Sequence, residues 1–313
     1  MPPTPMAYFR GEFIPVSEAK VGVMTHALHY GTAVFEGIRG NWNAEEEKTF
    51  IFKPKQHFHR FLDSCKMLRI SIPFDEDALV KLSVDLVERS GLCEDVYIRP
   101  LAYKSSEKVA NLKLHELDDG LTIMAVPLGR YIDSEMARCT ISSWRRMDEN
   151  MIPPSVKISG LYVNSILAKT DAVLAGFDEA IMLNLDGTVA EGTGENLFIV
   201  KDNTLITPPL YSNVLPGITR DCVIQIAKDD LGIETMERPI KRGELYLADE
   251  LFLSGTAAHL TPVGEVDNRL INNGGLGPVT QKLQDIYFEA IRGKIAKYRD
   301  WCVQASPSQV SKV

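Results

Sequence analysis

Short apolar runs at 49–52, 96–102, 121–126, 181–185 and 197–200 are each bounded by turn-forming residues and predict strands. Helical spacing takes over at Phe58, Phe61, Leu62, Cys65 and Leu68, and again across 75–90, where Asp75 suits an N-cap and Gly91 a stop. Further helices are predicted over 160–176, 217–231 and 278–293. The first has Leu161, Ile166, Leu167, Ala168 and Leu174 on one broad apolar face, and the second is closed by Gly232. Residues 8–14 read as a hairpin turning at Arg10-Gly11, 34–39 as a strand and 41–48 as an acidic loop. Asp186-Gly187 and Lys201-Asp202-Asn203 separate apolar runs and predict two more hairpins. Residues 250–253 read as a strand ending at Ser254-Gly255-Thr256, 144–155 as a polar loop and 304–313 as a loose tail.

This order of elements predicts an α+β chain. The run Pro127-Leu128-Gly129-Arg130-Tyr131 interrupts it. A small N-terminal domain is expected over 1–126, a linker over 127–136 and a larger C-terminal domain over 137–313. The length of 313 residues allows two such cores. A net charge of −8 argues against nucleic acid or an anionic membrane as the main partner, because neutralising phosphates needs a basic face. Five scattered cysteines with no CxxC spacing suggest reduced thiols and a cytoplasmic protein. No apolar run approaches the roughly 18 residues of a membrane-spanning helix, and residues 1–5 do not read as a signal peptide. No metal site is expected, since His26-x-x-His29 and His57-x-His59 lack companions at metal spacing. Ser254 lies in no GxSxG setting, which argues against a serine hydrolase.

The chemistry gathers between residues 157 and 220. Lys157 stands between Val156 and Ile158, so a strand there would turn it toward a cleft, where an amine nucleophile can be activated. Tyr162, five residues on, can reach the same cleft. Glu191 ends a predicted strand beside Gly192 and Gly194. A carboxylate facing a pyridine nitrogen would keep that nitrogen protonated and make the ring an electron sink. Glu195 competes for this role, although a surface carboxylate is the commoner reading. Gly217-Ile218-Thr219 opens a helix whose start suits a phosphate. The turn Thr256-Ala257-Ala258 can offer N–H groups to a phosphate or carboxylate. Together these are the parts of a pyridoxal phosphate site.

Two stretches carry a specific resemblance. Glu191-x-Thr193-x-x-Asn196-Leu197-Phe198 followed by Leu215-Pro216-Gly217-Ile218-Thr219-Arg220 resembles the signature of the fold-type IV (class IV) pyridoxal phosphate aminotransferases. His29-Tyr30-Gly31-x-x-Val34-Phe35-Glu36-Gly37 and Tyr97-Ile98-Arg99-Pro100 resemble the branched-chain amino acid aminotransferases among them. The resemblance implies a two-domain α+β fold with a smaller N-terminal α/β sandwich and a larger C-terminal pseudo-barrel. It implies that Lys157 binds the cofactor and shuttles the proton, that Glu191 pairs the ring nitrogen and that Tyr162 meets the ring oxygen. Arg60, Gly217, Ile218, Thr219 and Thr256 are implied for the phosphate, although Arg60 lies off the apolar stripe of its helix, where a solvent-facing arginine would be read. Phe35, Tyr97, Arg99 and Tyr131 are implied for the substrate, with Thr256, Ala257 and Ala258 at its α-carboxylate. Tyr30 is implied to come from the partner subunit of a homodimer.

The expected reaction is ping-pong exchange of an amino group between L-leucine, L-isoleucine or L-valine and 2-oxoglutarate. A D-amino acid or amine transaminase and an aminodeoxychorismate lyase are alternatives on the same fold. A non-catalytic binding module would keep the helix start without needing Lys157. Leu128, where the family often has tryptophan, and Arg130 depart from the subgroup's pattern, as does the loop 104–116.

Overall fold

The computed structural model describes residues 4–129 and 134–307. The chain opens with β1 (Met6–Phe9) and β2 (Glu12–Pro15), then α1 (His26–Tyr30), β3 (Ala33–Phe35), β4 (Ile38–Asn43) and β5 (Lys48–Phe52). Two longer helices follow, α2 (Pro54–Met67) and α3 (Glu76–Ser90), and then β6 (Val96–Lys104) and β7 (Asp119–Pro127). Next come β8 (Ala137–Arg145), α4 (Tyr162–Leu174), β9 (Glu179–Leu183), β10 (Val189–Gly192), β11 (Asn196–Lys201), β12 (Thr204–Thr207) and α5 (Ile218–Leu231). The last part holds β13 (Thr235–Glu237), α6 (Arg242–Tyr246), β14 (Glu250–Gly255), β15 (His259–Val266), β16 (Arg269–Leu270), α7 (Pro278–Ala290) and β17 (Cys302–Ala305). Among the described residues no helix is long and apolar enough to cross a membrane.

Contacts divide the described residues into two units, 4–129 with 156–160 and 289–307, and 134–155 with 161–288. This differs from the expected division, in which 137–313 formed one domain. Residues 156–160 join the first unit because Ile158 bridges Val34 antiparallel and Gly160 N donates to Gly31 O at 3.2 Å. Residues 302–305 join it because β17 pairs with β5, Val303 facing Ile51. Gln304 and Ala305, expected in a loose tail, are therefore strand residues. Of the expected linker, 130–133 lie outside the described residues.

The first unit is built on an antiparallel sheet ordered β17-β5-β4-β6-β7-β1-β2, with β3 paired to β6. The turn between β1 and β2 places Arg10 and Gly11 at positive φ, as the hairpin reading requires. α3 starts where Asp75 accepts a hydrogen bond from Ala78 N and ends at Gly91 in the left-handed region. The strand expected over 34–39 is two strands. β3 pairs with residues 101–103 of β6 and β4 with residues 96–98, and the break falls at Glu36-Gly37. The acidic loop is also shorter than expected, because β4 runs on to Asn43.

The second unit is built on a sheet ordered β10-β9-β8-β15-β14-β11-β12-β13. Its end strand β10 leads directly into β11, and Gly192 N donates to Glu195 O at 2.7 Å across the connection. The path β10-β9-β8-β15-β14-β11 thus returns on itself as a pseudo-barrel around Cys139, Ile181, Val189, Leu197, Leu253 and Val263. β8 was not among the expected strands, its last two residues falling in the expected polar loop, and β15 carries Pro262 and Gly264 in its middle. α4 lies against β8 and β9 with Ser165, Ala168 and Ala172 buried. Of the expected apolar face, Leu161 and Ala168 are buried, whereas Ile166, Leu167 and Leu174 are exposed, as are Val163 and Val173.

Candidate functional site

In the first unit, Lys157 is fixed through its main chain. Its N–H donates to Ser64 Oγ at 3.0 Å, and its carbonyl accepts from Phe35 N at 3.1 Å. Ser64 Oγ in turn donates to Arg60 O at 2.8 Å, one turn earlier on α2. Gly31 is left-handed at φ 65°, and a Cβ there would lie 2.8 Å from Gly160 Cα, so the approach of the lysine segment to α1 needs glycine.

Arg60 is largely buried rather than solvent-facing. Its Nε meets Glu36 Oε1 at 2.6 Å and Nη2 meets Oε2 at 2.9 Å, while His57 Nδ1 lies 2.7 Å from Oε2. Burial alone would raise the Glu36 carboxyl, but the Arg60 guanidinium and His57 more than offset this and hold it far below the usual carboxylate range. Burial pushes His57 down against the pull of Glu36. Its Nε2 has no partner among the described residues, which fits a neutral ring donating from Nδ1.

Three of the expected substrate residues meet beside this frame. Arg99 and Tyr97 alternate on β6, and Arg99 Nη2 donates to Tyr97 Oη at 2.9 Å. The Arg99 guanidinium carbon lies 4.4 Å from the Phe35 ring centroid, and Lys157 Nζ lies 5.2 Å from the same centroid. A Cβ on Gly37 would lie 2.0 Å from Tyr97 Oη, so the glycine after Glu36 makes room for that hydroxyl. Tyr30 is exposed on α1, and its hydroxyl accepts from Ala110 N at 2.9 Å. Tyr131 lies outside the described residues.

The second unit holds the carboxylate and the helix start. Glu191 is buried at the end region of β10. Arg146 Nη2 lies 2.6 Å from its Oε1, and Oε2 accepts from Asn196 Nδ2 and Leu215 N, both at 3.1 Å. Asn196 Nδ2 also donates to Leu215 O at 3.0 Å, which ties the loop before α5 to Glu191. Gly217 is the N-cap of α5, and a Cβ there would lie 1.8 Å from Asn196 Oδ1. Ile218 and Thr219 follow, both buried, in the first turn of this helix. Tyr162 opens α4. Thr256, Ala257 and Ala258 form the turn between β14 and β15, where Gly255 pairs with His259. A buried carboxylate backed by a cation, a glycine-led helix start and a pinned lysine are groups that fit pyridoxal phosphate.

Glu195 is not a surface carboxylate. It is 3% exposed, and burial, with Glu179 adding to it, pushes its carboxyl up to about 8. Burial and the neighbouring Glu179 thus favour its protonated form, which weighs against Glu195 as the anion at a ring nitrogen. Glu179 beside it is paired with Lys169 Nζ at 2.6 Å and accepts from Thr193 Oγ1 at 2.7 Å. Sequence reasoning gave no role to Glu36, His57, Ser64, Arg146 or Asn196. The Phe35-Glu36-Gly37 and Glu191-x-Thr193-x-x-Asn196 motifs contain two of them, but their partners are distant in sequence.

The raised Glu195 carboxyl makes stability depend on pH. The unfolded chain loses this proton near the ordinary value of 4.5, and the folded chain only near 8, so stability falls as pH rises through that window. Glu195→Gln removes the titration. Its Tm relative to the unsubstituted protein should therefore climb between about pH 5 and about pH 8. Thermal melts across this range check it, and a constant difference would exclude the buried proton.

The family model for amino-transferase class IV matches residues 33–266. The probable branched-chain-amino-acid aminotransferase of Aquifex aeolicus is 49% identical over 296 residues, covering 94% of this chain and 95% of that protein. The crystal structure of the branched-chain aminotransferase from Thermoproteus uzoniensis with norvaline superposes with a TM-score of 0.91 at 43% identity, covering 96% of this chain and 98% of that one. The branched-chain amino acid aminotransferase from Thermobaculum terrenum, in its PLP (holo) form, also gives a TM-score of 0.91, at 38% identity, covering 96% of this chain and 99% of that one. This chain belongs to the class IV aminotransferases, and within them to the branched-chain amino acid aminotransferases.

Proposed function

We propose that this chain is a pyridoxal phosphate-dependent transaminase that moves the amino group of L-leucine, L-isoleucine or L-valine to 2-oxoglutarate, reversibly, giving the branched 2-oxo acid and L-glutamate. Beyond the family itself, the observation that carries this reading is the frame around Lys157. Its backbone is pinned on both sides, and its Nζ approaches the Phe35 ring that Arg99 also covers. The bound cofactor supplies the electron sink that makes the substrate's Cα–H acidic. Lys157 Nζ takes that proton and returns it in the reverse direction. Glu191 holds the proton at the ring nitrogen, and Tyr162 hydrogen-bonds the ring oxygen. Arg60, the backbone of Gly217, Ile218 and Thr219, and Thr256 are assigned to the phosphate. Phe35 and Tyr97 are assigned to the aliphatic side chain, with Tyr131, and the turn Thr256-Ala257-Ala258 to the α-carboxylate.

Borohydride reduction of the purified holoprotein should fix the cofactor on the peptide containing Lys157, read by mass spectrometry, and Lys157→Ala should lose both the adduct and turnover. A modified lysine elsewhere, or turnover in Lys157→Ala free of wild-type enzyme, would end the assignment.

Arg99 is assigned to the γ-carboxylate of 2-oxoglutarate, which an apolar pocket alone would leave unpaired. Its Nε is buried without a partner among the described residues. Arg99→Leu should spare the leucine half-reaction and slow the 2-oxoglutarate half-reaction by on the order of tenfold to a hundredfold, the worth of a hydrogen bond to a charged group. Stopped-flow of the two halves separately decides this. Equal losses would make Arg99 structural.

The working form is assigned as a homodimer at least, in the cytoplasm. The exposed apolar stripe of α4 supports a covered face, and exposed Leu28 and Tyr30 on α1 support a second. All five cysteines are free thiols, which agrees with a reducing compartment. Sedimentation at assay concentration should show no monomer, and a fully active monomer would refute the dimer.

A further inference from the structure

We propose that Arg146 is a positioning residue for the reaction, fixing the Glu191 carboxylate and keeping it anionic where it meets the cofactor's ring nitrogen. The proposal rests on Glu191 having that role. Arg146 directly follows β8, and its N–H donates to Leu183 O at the end of β9 at 2.9 Å. Its side chain is 6% exposed. Nη2 holds Glu191 Oε1 at 2.6 Å, and Nη1 donates to Ser165 Oγ at 3.1 Å. Ser165 is buried on α4, three residues after Tyr162. Nε has no partner among the described residues, so the two terminal nitrogens carry the directed bonds of this guanidinium.

The division of labour at the carboxylate follows from charge. Asn196 and Leu215 bring neutral N–H groups to Oε2, which orient the carboxylate but do not balance its charge. A buried carboxylate without a counter-charge takes up a proton instead. Lys169 is committed to Glu179, and Glu195 is a further acid. Arg146 is a cation in direct contact with Glu191. A protonated Glu191 would no longer hold the ring-nitrogen proton, so the guanidinium acts on the chemistry through a neighbour.

Arg146→Met removes the cation at similar length, and Arg146→Lys keeps a charge. In the apoenzyme at neutral pH, difference infrared spectroscopy of Arg146→Met against Arg146→Met/Glu191→Gln should show a protonated carboxyl band assigned to Glu191. The matching comparison with arginine in place should lack it. In the holoenzyme, single-turnover proton abstraction from leucine should slow on the order of tenfold to a hundredfold in Arg146→Met. Arg146→Lys should recover a large part of the rate, and Arg146→Met should cost nothing more in a Glu191→Gln background. If Glu191→Gln itself leaves the single-turnover rate unchanged, the role of Glu191 fails and the proposal with it. If Glu191→Gln slows the step while Arg146→Met leaves rate and carboxyl unchanged, or adds its loss to that of Glu191→Gln, the proposal alone is overturned. Should Arg146→Met not fold, Ser165→Ala decides, because it only loosens the guanidinium. A slowing of about two- to tenfold that disappears in a Glu191→Gln background supports the proposal, and an unchanged rate overturns it.

Discussion

Lys157 is held by its backbone, and much of the first unit depends on how. A lysine that binds a cofactor and also moves a proton needs a fixed root and a side chain that can change partners. Ser64 and Phe35 supply the root through hydrogen bonds to the main-chain N–H and C=O. Each comes from an element that carries or adjoins another residue assigned to the site. Ser64 bonds the carbonyl of Arg60, and Phe35 precedes Glu36, the carboxylate that clamps Arg60. Lys157, Ser64, Arg60, Phe35 and Glu36 are thereby set by one stitch between α2, β3 and residues 156–160. The break between β3 and β4 belongs to the same arrangement, since it is where Glu36 turns into the interior.

Each unit also buries one arginine–carboxylate pair with the polarity of its assigned task. In the first, the arginine is assigned to an anion and Glu36 balances it. In the second, the carboxylate is assigned to a proton-bearing nitrogen and Arg146 balances it. Buried pairs of this kind add little to stability compared with apolar packing, because desolvation offsets their attraction. Their value here is in fixing the charge state and direction of a group before any ligand arrives, which is what electrostatic preorganisation requires.

Local rules made much of the fold legible. Asp75 and Gly91 bound α3, Gly232 closes α5, and Asp186-Gly187 turns between β9 and β10. These depend on φ and capping chemistry, which a residue expresses wherever it sits. β8 was not legible because its apolar alternation is short, only Ala137, Cys139 and Ile141 before Ser142, Ser143 and Arg145, and α4 was misread because its buried face is made of small residues. Among the residues assigned to the site, the motifs marked Lys157, Glu191 and the start of α5. Arg146 and His57 could not be read, since an arginine after a polar strand and a histidine on a helix become buried partners only when a carboxylate about 20 or more residues away in sequence folds onto them. Glu195 shows the same limit in reverse, for nothing local tells a buried acid from an exposed one.

The return of β17 to β5 has a consequence for how the protein is made. Asn43 Nδ2 reaches Arg292 O across 249 positions, and Cys302–Ala305 form the strand that covers β5. The first unit therefore cannot be completed while its own 129 leading residues leave the ribosome, and folding in order of synthesis does not apply to it. Until residues 302–305 emerge, β5 presents an open sheet edge of Thr49, Phe50, Ile51 and Phe52, the sort of surface that recruits other chains. Such high contact order makes the last steps of folding slow. The nascent chain's exposure to aggregation is then set by the time taken to synthesise the second unit.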